Sequence, residues 1–234
     1  MALASSLPII LVPGLNCSPR LYGEQLPALW QFGPVTIADH RGDETMAGIA
    51  RQILADAPPR FALAGLSMGG YVALALMREA PDRVARLALL DTGARADTPE
   101  QSERRKLQIE VALSGRFAEI PNLQWPFLVH KNRQNDEALK RIVQLMAEET
   151  GPEAFARQQR AIMTRPDSRA TLAEIRYPAL VLVGEGDQLT PPELAREIVG
   201  LVAGSRLVVV PDCGHLSAIE RPAAVTQALV EWMA

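Results

Sequence analysis

An α/β fold on a mostly parallel sheet of about six strands follows from three features of this sequence. Short β-rich runs alternate with helical patterns, the mark of parallel strands joined by crossover helices. The runs are apolar nearly throughout, as strands covered on both faces are. One connection between runs is far longer than a crossover needs. The strands read as Ile9–Val12, Val35–Ala38, Phe61–Ala64, Arg86–Leu90, Ala179–Val183 and Leu207–Val210, each bounded by Gly, Pro or Asp. Between them Met46, Ile49, Ile53 and Leu54 recur at helical spacing. So do Leu194, Ile198, Leu201 and Val202, and later Val225, Ala228, Leu229 and Trp232. Pro191, Pro192 and Pro222 stand where helices begin, in the first turn that tolerates proline.

The long connection runs from Asp91 to Pro178. Thr98–Asp167 reads as helical throughout, with one apolar stripe at Leu139, Ile142, Val143 and Met146 and a further helix over Glu153–Met163. The simplest organisation is a helical cap, residues 98–167, inserted into a core formed by residues 1–97 and 168–234. Ligands of open α/β sheets bind beyond the carboxyl ends of the strands, so a cap there would roof the site.

Composition narrows the function classes. A net charge of −3 offers no basic face for nucleic acid and no polybasic membrane anchor. The one basic run, Arg104, Arg105 and Lys106, is diluted by Glu100 and Glu103 and reads as a solvated helix face. Met1–Val12 is apolar but lacks the positive start of a signal peptide, and no apolar stretch reaches transmembrane length. A cytoplasmic protein, monomer or homodimer, is the expectation. Cys17 and Cys213 show no metal-like spacing and read as reduced thiols. Their loops both border the predicted site, so the two could lie close enough to respond to oxidant. With three histidines and no H-E-x-x-H, neither a metal nor a cofactor is expected.

The chemistry starts at Gly65-Leu-Ser67-Met-Gly69, a G-x-S-x-G placed after a strand and before an apolar helix. A serine at such a sharp turn presents its hydroxyl upward, and side chains at the two glycines would clash with the tight backbone. The helix N-terminus adds free N–H groups and a dipole suited to developing negative charge. The plainer reading is a serine that only caps a helix in a Gly-rich turn. A serine hydroxyl is a weak nucleophile and needs a base. His215, in Pro211-Asp-Cys-Gly-His215, follows the last strand and lies at its carboxyl end. His40 and His130 read as loop and cap residues. The base needs an acid to fix its tautomer. Asp187, in a loop leading directly into a helix, is favoured over Asp91, which reads as a turn residue entering the cap. Gly184-x-Gly186 hints at a dinucleotide loop, but Leu189 stands at the third glycine position and the motif fails.

With these residues in place the sequence resembles the α/β-hydrolase superfamily, specifically its compact members with a helical cap between the sixth and seventh strands. The order Ser67, Asp187, His215 is the superfamily's Ser–Asp–His order, and the likeness covers almost the whole chain. The resemblance implies an oxyanion hole built from the backbone N–H groups of Leu15 and Met68. Leu15 follows Pro13-Gly14, where many relatives have His-Gly. Relatives often open with a β-hairpin, for which only Met1–Leu7 are available here, hence six strands instead of eight. Asp39-His-Arg-Gly42 lacks the later Gly and Ser common in relatives.

The activity this implies is hydrolysis of a small or medium uncharged carboxylic ester by a serine hydrolase, a carboxylesterase. Trp125, Phe127 and Leu128 from the cap, with Leu189 and Leu216 beside the acid and base, are the expected apolar pocket. No cluster of Arg or Lys singles out a phosphate or carboxylate clamp; Arg41 and Arg165 are the two that could serve, against the plainer reading of common surface arginines. The same scaffold hosts thioesterases, lactonases, carbon–carbon bond hydrolases and cofactor-free haloperoxidases, and a non-catalytic receptor is the remote alternative.

Overall fold

The computed structural model describes residues 6–234. The reading of Met1–Val12 as lacking a signal peptide therefore rests in part on residues 1–5, outside the described residues. Six strands form one parallel sheet: β1 (Ile9–Val12), β2 (Val35–Ile37), β3 (Phe61–Leu66), β4 (Val84–Leu90), β5 (Leu180–Gly184) and β6 (Arg206–Val210), in the order β2-β1-β3-β4-β5-β6. Chain order reverses between β1 and β3, which puts β1 and the strand leading to Ser67 side by side.

The helices are α1 (Met46–Asp56), α2 (Met68–Glu79), α3 (Pro99–Val111), α4 (Ile120–Leu128), α5 (Glu137–Thr150), α6 (Pro152–Met163), α7 (Pro192–Leu201) and α8 (Pro222–Met233), joined by shorter helical turns. Alternation along each strand sorts the core into two layers. Ile10, Val12, Leu63, Leu89 and Val181 pack with α1, α2 and α7 on one face. Ile9, Leu11, Ala64, Leu90 and Leu182 pack with α8 on the other. The stripes at Met46/Ile49/Ile53 and Val225/Ala228/Leu229/Trp232 are the buried faces of α1 and α8.

Strand register aligns the functional edge. Val12 pairs with Gly65, Leu66 with Leu90, and Gly184 with Val210. The loops after β1, β3, β5 and β6 therefore leave the sheet at one level. Between β4 and β5 the chain is helical, α3 to α6 plus a turn at Arg169–Ala173. Thr98 opens α3 with a capping box to Gln101, and Asp136 caps α5 through the Leu139 N–H (2.9 Å). Among the described residues, no helix is long and apolar enough to cross a membrane.

Candidate active site

Ser67 stands between β3 and α2 with φ 55° and ψ −115°, a conformation non-glycine residues rarely hold. Its N–H donates to the Leu90 carbonyl (2.9 Å), and its carbonyl accepts the Thr92 hydroxyl (2.8 Å), so neighbouring β4 holds the turn in place. The flanking glycines are steric requirements. A Cβ on Gly65 would collide with the Gly69 carbonyl, and one on Gly69 with the Val12 carbonyl.

Three side chains from three loops meet at this turn. His215 Nε2 lies 2.8 Å from Ser67 Oγ, and His215 Nδ1 lies 2.8 Å from Asp187 Oδ2. Asp187 is itself fixed. Its Oδ1 accepts the backbone N–H groups of Leu189 (2.9 Å) and Thr190 (3.0 Å), and its Oδ2 accepts the Thr190 hydroxyl (2.6 Å). Burial pushes the Asp187 carboxyl up, but the adjacent imidazole and these hydrogen bonds outweigh it and hold the acid below its ordinary range. Burial pushes His215 down, yet Asp187's charge and hydrogen bond win and leave the imidazole above its ordinary value. Asp91, the alternative acid, makes no hydrogen bond to His215. It accepts the Gly184 N–H (2.9 Å) and shares a hydrogen bond with Ser217.

Met68 is the first residue of α2, so its N–H has no acceptor inside the helix. No protein acceptor among the described residues takes the Leu15 N–H. Leu15, Ser67 and His215 line a cleft of about 660 Å³ whose far walls come from α3, α4, α5 and α6.

Of the expected pocket residues, Phe127, Leu128, Leu189 and Leu216 line this cleft. Trp125 does not. It is buried among Leu139, Val143 and Met146, with its indole N–H on the Gln134 carbonyl (2.8 Å). The reason is helical phase: Leu123 and Phe127 share the cleft face of α4, and Trp125 is about 200° round from Leu123. Arg41 pairs with Asp39 and takes no part in the cleft. Arg165 does line it. The solvated-face reading of Arg104–Lys106 is corrected at Arg105, which turns into the cleft wall and pairs with buried Asp97 (2.6 Å). Cys17 and Cys213 are free and buried; burial drives the Cys17 thiol up to about 12 and Cys213 higher still, which makes both poor thiolates.

Several site residues escaped the sequence. Thr190 bridges Asp187 and His215, its hydroxyl 3.2 Å from His215 Nδ1. Buried Glu220 accepts the N–H groups of His130 (2.9 Å) and Gly214 (2.8 Å), tying α4's exit to the histidine loop. His40 is more than a loop residue: it is buried, and its Nε2 lies 2.9 Å from the Gly14 carbonyl. Only Thr190 had a local signal, a hydroxyl three positions after an acid before a helix. Among the described residues, no cluster of His, Cys, Asp and Glu is arranged to hold a metal ion.

The family model for the alpha/beta hydrolase family matches residues 9–228. The chain belongs to the alpha/beta hydrolase family. It is 31% identical over 245 residues to a pimeloyl-[acyl-carrier protein] methyl ester esterase of Neisseria meningitidis, covering 95% of this chain and 92% of that protein. Its fold is similar to a thermophilic esterase from Thermogutta terrifontis solved with malate bound (TM-score 0.87, 32% identity, 97% of this chain and 89% of that one). It is also similar to the enol-lactonase from Burkholderia xenovorans LB400 (TM-score 0.88, 27% identity, 98% and 92%). These relatives support a hydrolase on this alpha/beta-hydrolase scaffold.

Proposed function

We propose that this protein is a serine hydrolase acting on a small or medium carboxylic ester, with residues 98–167 as its cap. The supporting observation is the unbroken hydrogen-bonded line Asp187–His215–Ser67, which ends in the cleft. Neutral His215 takes the Ser67 proton as Oγ attacks the carbonyl carbon, and Asp187 orients the ring and stabilises the imidazolium. The N–H groups of Leu15 and Met68 receive the negative charge that develops on the carbonyl oxygen. Collapse expels the alcohol, which takes the proton from His215 and leaves the acyl group on Ser67. Water, deprotonated by the same histidine, then frees the acid and restores the serine.

A lactone is an internal ester and asks the same of these residues. The likeness to an enol-lactonase favours it as the second reading. The test is the initial rate on p-nitrophenyl esters of increasing acyl length. Ser67→Ala is expected to lower kcat by at least about 10³-fold, leaving the residue due to binding and the oxyanion donors. Undiminished turnover by the variant would exclude the mechanism.

A further inference from the structure

The cleft wall carries positive charge that the ester mechanism does not use. Among the described lining residues the only carboxylate is Asp97, set against Arg95, Arg104, Arg105 and Arg165. Arg95 is balanced by Glu197 outside the cleft lining, at 2.7 Å. Arg105 and Arg165 both converge on Asp97, each at 2.6 Å, where the Asp97 side chain is 1% exposed and that of Arg165 9%. One carboxylate balances one guanidinium, so this enclosed trio keeps a net positive charge. Arg104, exposed on the same helix and also lining the cleft, adds another. A desolvated charge without a counter-ion is costly, and an anion entering the cleft would relieve that cost.

The surplus lies on the nucleophile's wall. The Arg165 guanidinium sits over the Tyr71 ring, 4.1 Å from its centroid. Tyr71 lies one turn into the helix that Ser67 opens, with its N–H on the Ser67 carbonyl (3.4 Å), and it lines the same cleft. The stack leaves the guanidinium edge as the hydrogen-bonding element: Nη1 donates to Asp97 Oδ1 (2.6 Å) and the Ile162 carbonyl (3.0 Å), Nε donates to the Arg95 carbonyl (3.1 Å), and Nη2 meets no acceptor among the described residues. The cleft thus offers a nucleophile at one point and a cationic wall at another. Apolar Leu123, Phe127 and Leu189 line the same cleft.

We infer that the substrate carries a free carboxylate remote from its scissile carbonyl, held by Arg104, Arg105 and Arg165: the monoester of a dicarboxylic acid, or a lactone bearing a carboxylate. The inference rests on the serine-hydrolase reading and replaces the uncharged ester expected from the sequence. The convergence of Arg105 and Arg165 on Asp97 is not visible in the sequence.

Monomethyl and dimethyl adipate have one chain length and differ by one charge. Both are titrated calorimetrically into Ser67→Ala, which leaves the esters intact. The monoester is expected to bind about tenfold tighter at low ionic strength, a preference that shrinks as salt is added. In that background Arg104→Gln, an exposed position without structural duties, reduces the preference, as does Arg165→Gln, whose thermal melt is taken as a folding control. Asp97→Asn removes the competing carboxylate and increases it. Equal affinities, tighter binding of the diester or no measurable binding of the monoester overturn the inference. Turnover of monomethyl adipate by the unaltered enzyme is scored separately. Its failure, with Ser67 intact, counts against the hydrolase reading and leaves the binding comparison standing.

Discussion

Two aspartates end neighbouring loops at the site, and their surroundings send them in opposite directions. Asp187 receives N–H and O–H donors and the imidazole, and stays ionised. Asp91, at φ 44° and fully buried, accepts one backbone N–H and meets one hydroxyl. Burial first, and the charge of Asp187 second, raise its carboxyl to about 8, so it is protonated at neutral pH. The unfolded chain releases that proton near pH 4. Between these limits the folded state binds a proton that the unfolded state lacks, so the stabilising contribution is complete below about pH 4 and lost as pH rises towards 8. Asparagine reproduces the neutral acid: its oxygen accepts the Gly184 N–H and its amide donates to Ser217. Melting temperatures from pH 5 to 8 are therefore expected to fall more steeply in the wild type than in Asp91→Asn. Parallel curves would mean that Asp91 is ionised throughout.

At the scale of elements, the histidine loop hangs from the helical segment as much as from the sheet. The Leu128 carbonyl at the end of α4 accepts the N–H groups of both His215 and Leu216 (3.0 Å each), and Glu220 ties His130 to Gly214 beside them. Glu220→Gln keeps one acceptor oxygen where two are used, leaving a buried N–H unpaired at a cost of about 1–3 kcal/mol. The expected result is a lower melting temperature and a reduced kcat with KM little changed, measured by thermal scan and steady-state kinetics. This link also marks how far the sequence could be read. Strands, the turn at Ser67 and the stripes of α1, α5 and α8 were legible because each is written within a few consecutive residues. Asp187 and His215 were legible because a position at a strand's carboxyl end is enough to suggest a role. Glu220 and the Arg105–Asp97–Arg165 cluster were not, since they depend on how the helices between β4 and β5 fold back over the sheet. Trp125 was misplaced for the same reason: an apolar residue on a helix declares no face until its neighbour is known.

The whole molecule brings sheet and helical segment together at the loop that carries Leu15. From below, His40 at the end of β2 donates to the Gly14 carbonyl (2.9 Å); burial lowers its pKa, so the ring that does this is neutral. From above, Gln158 of α6 accepts the Asn16 N–H (3.0 Å), and its own amide nitrogen lies 3.1 Å from the same histidine nitrogen. Asn16 holds φ 59°, so the turn needs external support to keep the Leu15 N–H, the proposed oxyanion donor, in place. Gln158 is buried and does not line the cleft, so its influence on the reaction must pass through that loop. An oxyanion donor acts on the transition state more than on bound substrate, and a displacement of about 1 Å is enough to cost on the order of 10²-fold in rate. Gln158→Ala is therefore expected to lower kcat about 10- to 100-fold with KM nearly unchanged and with binding to a Ser67→Ala background unaffected. A rise in KM at constant kcat would instead make Gln158 a determinant of ground-state binding, and the roof would then shape the cleft without reaching the chemistry.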